Sequence, residues 1–290
     1  MYSPPKSISN SRLPIIPRRV RLAYDALRNK DQLDPNQLLS SMVAALSGVF
    51  PPGEREFVRS VRNYIDQIKD EDLLREVKAF AAQEGHHAHQ HRMANELLDE
   101  LGYSATKVAA VLEERIEEII AARDPRDRLA VTVVMEHYTA SMAHFALSCP
   151  ERLERLPPTL RRLMQWHAIE EIEHKSVAFD VYEHCVGERT RLRAWTLFQL
   201  FMFPYVITQF MRMILKERGH QVTLDELLDT AEFMLGDKGL MRVVLPLYLR
   251  LLVEKDFHPW DIDDSELVEE WKARLNELVG EDFGAEGAAA

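Results

Sequence analysis

Little in this chain could staple it together. Two cysteines, Cys149 and Cys185, in 290 residues are too few for a disulfide framework, so a reducing, cytoplasmic setting is expected. Only 11 glycines occur, and no alternation of apolar and polar residues is long enough for a useful strand, which argues against sheet. No internal repeat is found. Basic residues are the minority, 36 against 47 acids, and a formal net charge of −11 argues against a nucleic-acid partner. The N-terminus lacks the apolar core of an export signal, because Lys6, Arg12, Arg18, Arg19 and Arg21 interrupt it, with Pro14 and Pro17 between them.

What is abundant is Leu, Ala, Glu and Arg, and with 46% apolar residues the composition points to an all-α globular protein. Residues 1–17 read as a flexible N-terminus and 18–283 as a single helical-bundle domain. Gly284 to Ala290 has nothing to bury and reads as a disordered tail. Asp34-Pro35 is expected to open a short helix towards Phe50, which Pro51-Pro52-Gly53 should break, with Glu54 starting a second helix to about Ile68. Asp70 is a plausible cap for a long helix to Leu101, stopped by Gly102. Further helices are expected over about Ala105–Ala122, Pro125–Leu147 and Pro158–Cys185, joined by short connections. Residues 194–215 are apolar almost all round, interrupted by Gln199, Pro204, Gln209 and Arg212. Three readings stay open for them: a buried or homodimer-forming helix, a membrane-surface contact that would make the protein peripheral to the inner membrane, or a span. Asp261–Val279 reads as an amphipathic, acidic helix.

Two stretches carry Glu-x-x-His: Glu84–His87 and Glu171–His174. A three-residue step on a helix turns the chain about 300°, so each pair projects from one face and can offer an oxygen and a nitrogen to one cation. Two such helices are the inner walls of a ferritin-like two-metal carboxylate bundle. Glu84 and His87 alone could be an exposed helical pair. Yet the stripe Val77, Phe80, Glu84, His87, His91, Leu98 is a core stripe with polar residues in its middle, and burying these unpaired would cost several kcal/mol, about 2–7 each for neutral groups. His167, Glu171 and His174 lie at i, i+4 and i+7 on an equally apolar stripe. Glu170 is spaced to bond a ligand histidine. On the Pro125–Leu147 helix, the stripe Leu129, Val133, Glu136, Ala140, Ala143, Leu147 makes Glu136 the inward acid and sends His137 elsewhere. On the helix after Pro52 the pattern does not choose between Glu54 and Glu56.

The segments Leu46 to Phe57, Gln83-Glu84-x-x-His87-x-x-x-His91-x-x-x-Asn95 and Trp166 to Asp180 closely resemble the bacterial family named "predicted metal-dependent hydrolase", over roughly Arg18 to Arg218. The family's pattern carries the acid equivalent to Glu54, which decides between the two. The order of ligands also resembles the di-iron arylamine N-oxygenases. That resemblance implies metal ligation by Glu54, Glu84, His87, Glu136, His167, Glu171 and His174. Those enzymes usually place an acid before each Glu-x-x-His; here Glu170 supplies one and Gln83 replaces the other, while His91 is additional. Gln83, His91 and Glu170 are expected to orient the ligand histidines.

The expected cofactor is therefore two metal ions, iron by preference, with Mn or Zn as alternatives. The expected reaction is O2-dependent oxidation of an apolar or aromatic small molecule, lined by Phe57, Phe80, Tyr138 and Phe179 and served by an electron donor. Metal-dependent hydrolysis and a non-catalytic iron-binding role are the alternatives.

Overall fold

The computed structural model describes residues 12–24 and 33–279, and every regular element among them is helical. The tail 284–290 and residues 1–11 of the expected flexible N-terminus lie outside the described residues. In order the helices are α1 (Gln37–Arg62), α2 (Glu71–Glu100), α3 (Ala105–Arg115), α4 (Pro125–Ser148) and α5 (Pro158–His174). They continue with α6 (Val177–Cys185), α7 (Arg189–Glu217), α8 (Leu224–Leu235), α9 (Leu240–Val253) and α10 (Ser265–Val279). Helix α1 packs on α2 and α4, and α5 packs on the same two, which closes a four-helix bundle compatible with a ferritin-like arrangement.

Local signals account for most boundaries. Asp70 caps α2 by accepting from the amides of Asp72 and Leu73, and Gly102 follows its end at φ +83°, where only glycine is unstrained. The inward stripes of α2, α4 and α5 are all buried, while His137 turns outward and donates from Nε2 to Leu247 O (3.0 Å).

Two expectations about helix continuity are corrected. Helix α1 starts behind Asn36, whose side chain caps Leu38 and Leu39, and runs unbroken through Pro51 and Pro52 to Arg62. Pro51 cannot donate to Ser47 O, but Asn95 of α2 does so from Nδ2 (3.2 Å), so a tertiary contact replaces the lost helical bond. The second correction is at Lys175–Ser176, where the helix expected over Pro158–Cys185 divides directly after His174. There Lys175 Nζ bonds Ile262 O and Asp264 (2.6 Å each), and Ser176 Oγ accepts from Trp260 Nε1 (3.1 Å).

Helix α7 lies along the bundle against α1 and α4, burying Leu192, Thr196, Ile207, Phe210 and Ile214. Among the described residues it is the one helix long and apolar enough to cross a membrane by length and composition. Helix α10 begins after a short 3-10 turn at Pro259–Asp261 and buries Val268, Trp271 and Leu275.

Glycine placement yields a first prediction. A Cβ on Gly48 would sit 2.7 Å from Val108 Cβ and 2.8 Å from Ala105 O of α3, whereas one on Gly85 of α2 meets nothing within 4 Å. Thermal melts should show Gly48→Ala destabilised by about 1–3 kcal/mol and Gly85→Ala neutral or stabilised by up to about 1 kcal/mol. A second concerns acid. Burial would raise the pKa of Glu226, yet donation from Thr223 N and His220 Nε2 (2.9 Å each) and Gln37 N (2.9 Å) holds it down to about 2. A carboxylate held below its ordinary 4.5 contributes stability that is present above that pH and lost as pH falls towards 2. Denaturant melts between pH 7 and 3 should show Glu226→Gln less stable by about 1–2 kcal/mol at neutral pH, with a flatter acid limb.

Candidate metal centre

Four helices bring seven buried side chains to the middle of the bundle: Glu54 from α1, Glu84 and His87 from α2, Glu136 from α4, and His167, Glu171 and His174 from α5. Their helical spacing explains the convergence, since each sits on its helix's apolar stripe. They form two groups. Ligand atoms of Glu54, His87 and His167 lie within 4.8 Å of one another, and so do those of Glu84, Glu171 and His174. Glu136 Oε2 joins the second group 3.4 Å from His174 Nε2. Glu171 Oε1 lies between the groups, 2.8 Å from His167 Nε2 and 3.6 Å from both His87 Nδ1 and His174 Nε2. Glu56, the alternative to Glu54, points away and is paired with Arg128 (2.7 and 3.0 Å).

The hydrogen bonds around the imidazoles fix which nitrogen of each faces inward. Gln83 donates from Nε2 to Glu173 (2.8 Å), so its Oε1 accepts from His174 Nδ1 (2.9 Å) and leaves the lone pair of His174 Nε2 to the site. His87 donates from Nε2 to Glu170 (3.1 Å) and leaves Nδ1. Asn95 Nδ2 donates to Ser47 O, so Asn95 Oδ1 accepts from Ser47 Oγ (2.7 Å), which in turn accepts from His91 Nδ1 (3.0 Å). His91 Nε2 is then the acceptor for His167 Nδ1 (2.8 Å), and His167 Nε2 faces Glu171. Gln83, His91 and Glu170 thus each hold one of the three imidazoles.

Two members of this shell carried no sequence signal of their own. Arg18 donates to Glu173 from Nη1 and Nη2 (2.8 and 2.7 Å) and to Glu170 from its backbone amide (2.9 Å). Glu173 is paired in addition with Lys272 (2.9 Å). The available hint was the pair of acids three apart on α5, Glu170 and Glu173, which once buried demand a cationic partner.

The electrostatics are those of a cation site. Both oxygens of Glu54, Glu84 and Glu136, together with Glu171 Oε2, His87 Nδ1 and His174 Nε2, are buried without a hydrogen-bond partner. Burial, reinforced by neighbouring carboxylates, pushes Glu54 and Glu84 well above the ordinary carboxylate range, and burial lifts Glu136 to about 7. Burial likewise lifts Glu170 to about 8 against the opposing pull of Arg18. Burial and the neighbouring His167 push His87 and His91 well down. His174 goes the other way: burial would lower it, but Glu171, Glu136 and Glu84 raise it well above the usual imidazole value. In the metal-free protein, protons thus occupy positions that the donor set of oxygens and imidazole nitrogens suits to a metal ion.

Two openings reach these residues. A pocket of about 130 Å³ ends at His167 and Glu171, and its wall includes Met42, Phe50, Met142, Phe145, Phe233 and Leu240. A polar groove of about 680 Å³ reaches Glu54 and Glu84 between Arg55, Arg59, Glu113 and Glu117. The four aromatics expected to line a substrate are elsewhere. Phe80 packs edge-on to His174 (5.0 Å), Tyr138 lies against Phe203 and Tyr248, Phe179 against His258, and Phe57 packs half-buried on the core cluster that includes Val61 and Leu129. Periodicity gave the face each occupies but not its level along the bundle.

If these groups hold metal, elemental analysis of the loaded protein should find two ions per chain. Glu171→Ala and His174→Ala should each lose metal, and His91→Phe should weaken binding by about 10–100-fold while the fold persists. Full metal retention in either alanine variant would refute the assignment.

No curated protein and no solved structure matches this sequence. The profile of a family described as "predicted metal-dependent hydrolase" matches residues 16–263, which include every residue of the buried cluster, and the chain belongs to that family.

Proposed function

We propose that the protein is a di-iron oxidoreductase that uses O2 to oxidise an apolar or aromatic small molecule. The lining of the pocket at His167 and Glu171 carries this reading. Met42, Leu46, Phe50, Met142, Phe145 and Met164 offer no hydrogen bond, and the Thr139 hydroxyl there already donates to Glu136 O (3.0 Å). An ester, amide or phosphoester would bring polar atoms to such a wall without partners, at about 1–3 kcal/mol each. A hydrocarbon chain or ring meets no such penalty.

The donor set supports iron, with Mn or Zn as alternatives, because imidazoles mixed with mobile carboxylates suit oxygen-activating metals. Two iron ions held by Glu54, Glu84, His87, Glu136, His167, Glu171 and His174 would supply O2 reduction, with electrons from an external donor. The protein's own part is positional. Glu170, His91 and Gln83 hold the three imidazoles in one tautomer each. Glu54 and Glu136 have no hydrogen bond that fixes their oxygens, which leaves both carboxylates able to change binding mode. Phe50, against His91 and His167 (4.6 and 4.8 Å), and Trp166, edge-on to His87 (4.9 Å), keep water from the imidazoles.

Metal-dependent hydrolysis is the second reading, favoured by the family's description and by the polar groove that brings water to Glu54 and Glu84. Anaerobic loading with ferrous iron followed by admission of O2 separates the readings. The oxidoreductase should consume O2 with a transient change in visible absorption. Absence of both, with esterase or phosphatase turnover by a zinc-loaded sample, would overturn it in favour of hydrolysis. Bound iron with neither activity would point to a non-catalytic role.

A further inference from the structure

Helix α8 is mounted inside out. Its inward stripe is Glu226, Asp229, Thr230 and Phe233, of which only Phe233 is fully buried. Its outward stripe is Leu224, Leu227, Leu228, Ala231 and Leu235, and Leu224, Leu228 and Leu235 are 69, 60 and 62% exposed. Polar bonds hold it this way round. Asn36 Nδ2 donates to Asp229 (2.8 Å) and to Thr230 (3.1 Å), Arg155 pairs with Asp229 (2.6 Å), Arg152 with Glu232 (2.7 Å), and Gln37 N donates to Glu226 (2.9 Å). A helix free to choose in water would bury the leucines and expose the acids. Here the acids are tied down and the leucines left outside, so the surrounding medium on that side is not expected to be water alone.

We propose that the leucine face of α8 docks on an anionic lipid bilayer. Three observations favour lipid over a second copy of the chain. First, three of the four acids of α8 are engaged, Glu226 with Gln37 N, Asp229 with Arg155 and Glu232 with Arg152, which leaves Asp225 alone to oppose anionic headgroups. On α7 and α9, Arg189, Arg191 and Arg250 are already paired with Glu183, Asp127 and Glu254 (2.7, 2.5 and 2.6 Å) and offer no free charge. Second, exposed Arg212 and Lys216 near the end of α7, and Arg242 near the start of α9, flank α8 in sequence and have no ion pair among the described residues. Basic side chains beside an outward apolar helix fit an interfacial helix that lies in the headgroup plane, and two copies face to face would set like charges together. Third, the pocket that ends at His167 and Glu171 has Phe233 of α8 and Leu240 of α9 in its wall, so the docked helix is part of the route by which an apolar molecule would reach the centre. This third point rests on the oxidation reading; the docking itself does not.

Flotation of the full chain with vesicles tests it. The protein should float with vesicles of phosphatidylcholine and phosphatidylglycerol, and less with phosphatidylcholine alone or at high salt. The double variant Leu224→Ser, Leu228→Ser should reduce flotation by about tenfold or more. Both positions are exposed, so its melting temperature and metal content should be unchanged. A variant Leu228→Trp should show a blue-shifted indole emission, quenched by doxyl-labelled lipid. Failure of the wild type to float, or equal flotation of the double variant, overturns the proposal. So does a dimer that the double variant converts to monomer without vesicle binding by the wild type, since the face then belongs to a second copy. Flotation needs no metal, so flotation without O2 uptake removes the oxidation reading and leaves docking in place, and the reverse result removes docking alone.

Discussion

Everything in this bundle is arranged around a charge that its own side chains cannot balance. Four carboxylates and three imidazoles share one buried volume, and most of their inward atoms have no protein partner. Isolated, a group of this kind would neutralise itself or loosen the core, because a buried unpaired charge is far more costly than any packing contact that surrounds it. The fold instead fixes the group from behind. Gln83, His91 and Glu170 hold the imidazoles, and Arg18 in turn holds Glu170 and its neighbour Glu173, so the inward nitrogens converge whether protons or metal ions lie between them. That preorganisation is the expense of the structure, and a bound cation is what makes it favourable.

The sequence made the centre legible because an α-helix converts spacing into direction. Glu84, His87, Glu136, His167, Glu171 and His174 occupy core positions of otherwise apolar stripes, and all six are where those stripes predict. Glu54 was not fixed by pattern; Glu56, two residues on, has the same chemistry and is satisfied by Arg128, a residue 72 positions away. Non-local partners decide elsewhere too, where local pattern carries no trace of them. Pro51 and Pro52 look like a helix break until Asn95 supplies the missing donor to Ser47 O. Arg18 belongs to an extended stretch without periodicity, so nothing local marked it as the partner of Glu170 and Glu173. Helix α8 is a further case of non-local control: amphipathic pattern alone would turn its leucines inward, but Asn36, Arg152 and Arg155 hold its acids there instead.

The two openings differ in a way that constrains chemistry. The groove between α1, α2 and α3 is walled by ion pairs, Arg55 with Glu113 and Arg59 with Glu117 (2.7 Å each), and leads to the carboxylates Glu54 and Glu84. The pocket against α4, α5 and α8 is walled by methionine, leucine and phenylalanine and leads to His167 and Glu171. Ions and water are stable in the first and not in the second; for an apolar molecule the order is reversed. One polar and one apolar approach would let metal or protons exchange on one side while, on the proposed oxidation, an apolar molecule entered on the other. Methionine in the apolar wall adds tolerance of shape, because its unbranched thioether fills irregular gaps.

Charge counting carries this one step further. The imidazoles are bonded so that each presents a lone pair, and are therefore neutral as ligands. The centre's charge is then that of Glu54, Glu84, Glu136 and Glu171, and two divalent cations would cancel it. One cation would leave two uncompensated carboxylates in a buried site, which the raised pKa values of Glu54 and Glu84 indicate would be relieved only by protonation. The next layer has partners of its own, since Arg18 meets Glu170 and Glu173 and Lys272 meets Glu173. The inner group is thus free to respond to what binds in it, while the outer group keeps the imidazoles aimed.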